Sequence, residues 1–92
     1  MGTSPTQRKA VVTGAANGLG YAVAKALAQA GTFVSVCDKD MRVIDVGEEL
    51  RQWTTVVYAQ VADVSEPQQV RDFVNNAARA MGGIDIVVSN AG

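Results

Sequence analysis

The sequence predicts an α/β fold, a doubly wound parallel sheet of four strands in the order 3-2-1-4 with helices on both faces. Three observations lead there. Four short apolar runs, centred near Val11, Val34, Val56 and Val87, are separated by segments with helical periodicity. In the first run, Ala10 to Thr13, the apolar residues do not alternate with polar ones, which suits a strand covered on both faces. Glycines stand after the first strand and at the helix ends, where the chain must turn.

Each element follows in order. Met1 to Gln7 is polar and is expected to be a disordered tail, leaving residues 8–92 as one partial domain. The first strand runs into the glycine-rich segment Gly14 to Gly20. The next helix, Leu19 to Ala30, places Leu19, Val23 and Leu27 at i, i+4 spacing, which predicts an apolar stripe. Its alanines at 22, 24, 26, 28 and 30 favour helix and let the axis lie close to a sheet. Gly31 supplies the left-handed residue that stops it.

The second strand covers Thr32 to Cys37 and ends at Asp38. A helix over 41–51 has Val43, Val46 and Leu50 apolar, and Gly47 in its interior costs about 0.5–1 kcal/mol against alanine. The third strand is expected over 54–59, with Gln60 to Val64 as the loop at its C-terminal end. Ser65-Glu66-Pro67-Gln68 predicts a helix start, with Ser65 as the cap and Gln68 at the capping-box position. Val70, Phe73, Val74, Ala77 and Met81 then fall on one stripe until Gly82-Gly83 ends the helix. Ile84 to Ser89 is the fourth strand, and Asn90-Ala91-Gly92 follows it.

Bulk properties exclude several function classes. Eight Lys and Arg against nine Asp and Glu give a net charge of −1, without general attraction to nucleic acid or an anionic membrane. No segment approaches the ~20 apolar residues that span a bilayer. The single cysteine, Cys37, allows no internal disulfide and lies in an apolar run, so it reads as a buried thiol in a reducing, cytoplasmic compartment. Histidine is absent, and no metal site is expected. A chain of 92 residues buries only about 60–65% of its unfolded surface, so its core is thin.

The chemistry lies in the turn after the first strand. Strand, glycine-rich turn and helix are the arrangement that lays a dinucleotide pyrophosphate on a helix N-terminus. Backbone N–H groups must reach phosphate oxygens with no Cβ in the way, which calls for glycine. The fixed points Gly14, Gly18 and Gly20 follow Thr13 in the pattern Thr-Gly-x-x-x-Gly-x-Gly, with Asn17 and Leu19 among them. No Gly-Lys-Ser/Thr follows, which excludes a P-loop.

Asp38, at the tip of the second strand, can accept hydrogen bonds from both adenosine ribose hydroxyls, each worth about 1.5–3 kcal/mol. A 2′-phosphate there would meet like charge at a cost of about 4 kcal/mol at ~4 Å in an intermediate dielectric. Lys39 is the one local cation. The expected cofactor is therefore NAD rather than NADP. Asp63-Val64 and Asn90-Ala91-Gly92, at the tips of the third and fourth strands, are the remaining candidates, and each by itself also fits an ordinary turn.

Together, Thr13-Gly14…Gly18…Gly20, Asp38, Asp63-Val64 and Asn90-Ala91-Gly92 occur in order at successive strand ends. That set resembles the cofactor half of the short-chain dehydrogenase/reductase family over essentially the whole chain after Gln7. The resemblance implies a Rossmann-type, NAD(P)-binding fold and an oxidoreductase moving hydride between NAD and an alcohol or ketone. By the same resemblance Gly14, Gly18 and Gly20 line the pyrophosphate and Asp38 holds the adenosine ribose. Asp63 bonds the adenine amino group with Val64 beside the ring. Asn90 braces the sheet centre, with Ala91 and Gly92 beside the cofactor; Ser89 stands where the family usually has a further Asn.

The family's catalytic Asn, Ser, Tyr and Lys come later than Gly92. The chain is thus expected to be truncated, to contain no catalytic residue and to be inactive alone, while the full-length protein is expected to be a homo-oligomer. Tyr21 and Lys25 match the spacing Tyr-x-x-x-Lys, but they fall inside the cofactor helix. A second reading is a non-catalytic nucleotide-binding or interaction module that pairs its open sheet edge with another chain. Either way, Ile84, Ile86, Val87 and Val88 form an unpaired edge, and the third strand exposes Val56, Val57 and Tyr58 at the other, so marginal stability is expected.

Overall fold

Strand β1 (Lys9–Thr13) lies inside the sheet, paired in parallel with β2 (Phe33–Asp38) on one side and β4 (Ile86–Val88) on the other. The computed structural model describes residues 7–90, and its sheet has the order β3-β2-β1-β4, with β3 (Val57–Val61) parallel to β2. Helices α1 (Gly18–Gln29) and α2 (Arg42–Leu50) pack on one face, and α3 (Pro67–Met81) packs on the other. The crossings β1→β2→β3 run outward over one face, and the return β3→β4 runs over the opposite face. That is how crossovers of a single hand wind a sheet twice. The expected Rossmann-type α/β architecture and strand order are what the chain adopts.

Alternation along β1 and β2 divides the core in two. Val12, Val34 and Val36 face α1 and α2 with Val43, Val46, Leu50 and Val57. Val11 and Cys37 face α3 with Phe73, Ala77 and Met81.

Several elements depart from expectation, each for a packing reason. The buried face of α1 is Gly20, Ala24 and Ala28, not the stripe of Leu19, Val23 and Leu27. Small residues bring the helix close to the sheet; Leu27 packs partly against the core, while Leu19 is 68% exposed. Gly47 has a similar origin: a Cβ there would lie 2.7 Å from the Ala59 Cβ, so its cost in helix propensity is offset by close contact between α2 and β3.

Strand β3 begins three residues later than expected and includes Gln60 and Val61, because pairing with β2 continues to Asp38↔Val61. Val57 is consequently buried under α2 rather than exposed at the edge. The fourth strand shortens to Ile86–Val88. The capping box at Ser65 and Gln68 does not form: Glu66 holds the N-cap position without a side-chain cap, and Ser65 bonds back to Asp63. In α3, Val74 is 39% exposed and only Phe73, Ala77 and Met81 of the expected stripe are buried. Helix ends follow the glycines, with Gly31 at φ +84° and Gly82 at φ +83°. Of the N-terminal tail, residues 1–6 lie outside the described residues, and Gln7 donates its side-chain N–H to the Gly31 carbonyl at 2.8 Å.

Candidate functional site

The chain winds outward from β1 through β2 and returns to β4, so adjacent loops part at the C-terminal ends of the strands. Ligands of open α/β sheets bind at such a switch point. Here a cleft of about 520 Å³ opens. It is lined by Gly14, Asn17, Gly18 and Leu19 from the β1–α1 turn and by Asp38 and Lys39 after β2. Ala62 to Ser65 after β3 and Asn90 after β4 complete the wall.

The turn needs glycine for two reasons, left-handed backbone at two positions and lack of room for a Cβ at a third. Gly14 and Gly18 have φ of +65° and +61°, the left-handed region that favours glycine. Gly20 has ordinary helical geometry, but a Cβ there would overlap the Gly14 carbonyl oxygen and lie 2.9 Å from Nδ2 of Asn90. Helix α1 starts at Gly18 with no side-chain cap and no acid in its first turn. Its first N–H groups and the positive end of its dipole are therefore left for another partner. Leu19 stands exposed beside them.

Asp38 ties the turn to β2. Its Oδ2 accepts the backbone N–H of Ala16 at 3.0 Å and its Oδ1 accepts that of Asp40 at 3.0 Å. The Cys37 carbonyl takes the N–H of Ala15 at 3.2 Å. The Cys37 thiol itself is buried, and burial, with the Asp38 charge adding to it, pushes its pKa up to about 11. A thiol so protonated is unreactive.

Asp63 sits two residues beyond β3. Its Oδ1 accepts the Ser65 hydroxyl at 2.7 Å and the Ser65 N–H at 2.9 Å, and its own N–H donates to Oε1 of Gln69 at 2.7 Å. The Ser65 hydrogen bonds hold the Asp63 carboxyl below its ordinary range, and the nearby Lys39 charge acts the same way. Across the cleft, the Asn90 N–H donates to Oγ1 of Thr13 at 3.1 Å, joining the tips of β4 and β1.

Thr13 and Gly20 thus shape the cleft from behind, while Gly14, Asn17, Gly18, Leu19, Asp38, Lys39, Asp63, Val64 and Asn90 line it. Ala91 and Gly92 lie outside the described residues. Ala62 and Ser65 line the cleft without having been expected, Ala16 enters through its backbone N–H and Gln69 through its side-chain oxygen. The Asp-x-Ser spacing at 63–65 carried a usable signal, since an Asp commonly accepts from the N–H two residues on.

Tyr21 points elsewhere: its hydroxyl donates to Oε2 of Glu49 at 2.7 Å on the α1–α2 face. Lys25 lies 5.9 Å from the Tyr21 ring and 5.7 Å from the Trp53 ring, a cation–π arrangement. Among the described residues, no group of three or more His, Cys, Asp or Glu could hold a metal, and no helix is long and apolar enough to cross a membrane.

A glycine turn with left-handed backbone and an uncapped helix N-terminus at the ends of the strands are features of dinucleotide-binding folds. Comparison with known proteins points the same way. The family model described as short chain dehydrogenase matches residues 8–92. The 1-deoxy-11-beta-hydroxypentalenate dehydrogenase of Streptomyces avermitilis is 42% identical over 84 residues, 90% of this chain and 31% of its own length. The cis-4-hydroxycyclohexanecarboxylate dehydrogenase of Sinomonas cyclohexanicum is 37% identical over 92 residues, 100% of this chain and 37% of its own. Among solved structures, the alcohol dehydrogenase of the archaeon Thermococcus sibiricus, complexed with 5-hydroxy-NADP, matches with a TM-score of 0.86 at 35% identity. That match covers 94% of this chain and 37% of the other. The chain spans about a third of the length of the curated relatives it matches. With the family pattern running from Arg8 to the last residue and the fold shared, the chain belongs to the short-chain dehydrogenase family.

Proposed function

We propose that this chain is the dinucleotide-holding part of a short-chain oxidoreductase and that it prefers NAD to NADP. The observation that carries the proposal is the uncapped start of α1, walled by Gly14 and Gly18 and fastened to Asp38 through Ala16. Gly14, Gly18 and Gly20, flanked by Thr13, Asn17 and Leu19, would take the pyrophosphate. Asp38 would accept from the adenosine ribose beside Lys39, and Asp63 and Val64 would meet the adenine. Asn90, with Ala91 and Gly92, would border the cofactor at the sheet centre. A bound nicotinamide supplies hydride exchange with an alcohol or ketone carbon.

In this reading the residues of the chain bind and orient, and none acts on substrate. The tyrosine and lysine of the family lie outside it, and Tyr21 and Lys25 are engaged on the α1–α2 face. The chain alone then turns over no substrate; the full-length protein acts as a homo-oligomer in the cytoplasm, where the buried Cys37 stays reduced.

The family fold does not choose between the two cofactors, since the Thermococcus sibiricus enzyme carries an NADP derivative. Asp38 supports NAD, because its charge accepts from ribose hydroxyls and repels a phosphate. Calorimetric titration of the full-length protein with NAD and NADP tests this, with NAD expected to bind about tenfold tighter or more. Equal affinities would remove the preference, and no binding of either would remove the site. Among the described residues the outer edge of β4 has no partner strand and Val87 is 68% exposed, which favours as a second reading an interaction module that binds nucleotide without catalysis.

A further inference from the structure

Two charged residues, Asp38 and Lys39, line the proposed nucleotide site, and two more, Asp40 and Arg42, follow closely in the chain. Arg42, at the start of α2, is fastened to Asp40, with Nη2 and Nε donating to Oδ2 at 2.6 and 3.0 Å. The other oxygen, Oδ1, accepts the backbone N–H of Arg42 at 2.9 Å. The same Arg42 lines a second hollow of about 410 Å³, walled also by Ala16, Asn17 and Gly18. Asn17 and Gly18 border the main cleft as well, and Ala16 is the residue whose N–H holds Asp38. Arg42 therefore stands across two loop residues from the cleft that holds Asp38. Its guanidinium is held charged first by Asp40 and to a lesser degree by Asp38.

We propose that Asp40 is a positioning residue that withholds Arg42 from the ribose 2′ position, adding to Asp38 in discrimination against a 2′-phosphate. The proposal rests on the nucleotide-site reading above. An Arg near the strand-end acid is what accommodates a 2′-phosphate, because its fork of donors matches phosphate oxygens. Here the Nε and Nη2 side of the fork is turned to Asp40, and the four charges sum to zero. The pair is a latch rather than a lock: its side chains are 65% and 36% exposed, and exposed pairs exchange readily.

Asp40→Asn keeps an oxygen for the Arg42 N–H at the helix start and removes the charge that holds the guanidinium. The probes are adenosine 2′,5′-bisphosphate and 5′-AMP, which differ only at the 2′ position and carry no nicotinamide. Titrated into the full-length protein, D40N is expected to gain about five- to tenfold in affinity for the bisphosphate relative to 5′-AMP. The double variant D40N/R42Q is expected to lose that gain. An unchanged ratio in D40N, or a gain that persists without Arg42, overturns the latch while 5′-AMP binding keeps the site. Failure of 5′-AMP to bind any version overturns the site and the latch together.

Discussion

Asp38 Oδ2 accepts the backbone N–H of Ala16 at 3.0 Å, joining the tip of β2 to the turn that opens α1. A carboxylate offers about four lone-pair positions. Ala16 and Asp40 use one each, so the same group that fixes the turn retains capacity for ribose hydroxyls. Asp38→Ala removes both roles and is expected to weaken NAD binding by about a hundredfold; Asp38→Asn, which keeps one acceptor, by about tenfold. Calorimetry on the full-length protein reads both, and an Ala variant that binds NAD normally contradicts the assignment.

Two glycines are expected to resist alanine for different reasons. At Gly20 a Cβ would meet backbone, the Gly14 carbonyl, which cannot give way without moving the turn. Gly20→Ala is expected to cost about 2 kcal/mol or more in stability, with nucleotide binding lost. At Gly47 the obstacle is only the Ala59 side chain at 2.7 Å. Gly47→Ala should therefore destabilise, but combined with Ala59→Gly it should recover about 1 kcal/mol of helix propensity. Denaturant midpoints of the two singles and the double measure the coupling; additive effects would show that the contact is not the cause.

Ser35 offers an improvement instead. It is fully buried in β2, and its Oγ is the one buried side-chain polar atom without a partner among the described residues. Ser35→Ala removes that group at little loss of volume and is expected to stabilise by about 1 kcal/mol. A lowered melting temperature would mean the hydroxyl has a partner in solution.

Acid and base should act on different groups. Asp63 and Asp40 are depressed, the first chiefly by the Ser65 side-chain hydrogen bond and the second by that from Arg42. A carboxyl whose folded pKa lies below its unfolded value of about 3.9 stabilises above that pH and ceases to as pH falls through the folded value. Tyr21 is raised, first by its bond to Glu49, so its contribution is whole below about pH 10 and is lost as pH climbs through its folded pKa. In Ser65→Ala the Asp63 carboxyl should titrate at higher pH by NMR and acid unfolding should begin earlier. An unmoved midpoint would contradict the role given to Ser65.

Among the described residues, strand β4 pairs with β1 alone and leaves its outer edge without a partner strand. The 92-residue chain expressed alone is expected to be marginally stable and to self-associate through Val87. Val87→Lys should reduce association in sedimentation without raising stability. A monodisperse monomer with a high melting temperature would refute this.

The alternation of β-branched runs with helical segments determined the class of the fold, because strand and helix periods differ and each run could be placed without reference to another. It also determined the candidate residues at strand ends, since Gly14, Gly18, Asp38, Asp63 and Asn90 needed only their place after a strand to be brought to one cleft. What tertiary structure alone decided was distance between elements. Close packing, not periodicity, chose Gly20-Ala24-Ala28 as the buried face of α1 and explains glycine at 47. Pairing with β2, not local propensity, moved β3 three residues along. The bonds from Asp38 to Ala16, from Asn90 to Thr13 and from Gln69 to Asp63 span 22, 77 and 6 residues. Contacts of that kind depend on how separate elements meet in space, and spacing within one element carries no record of them.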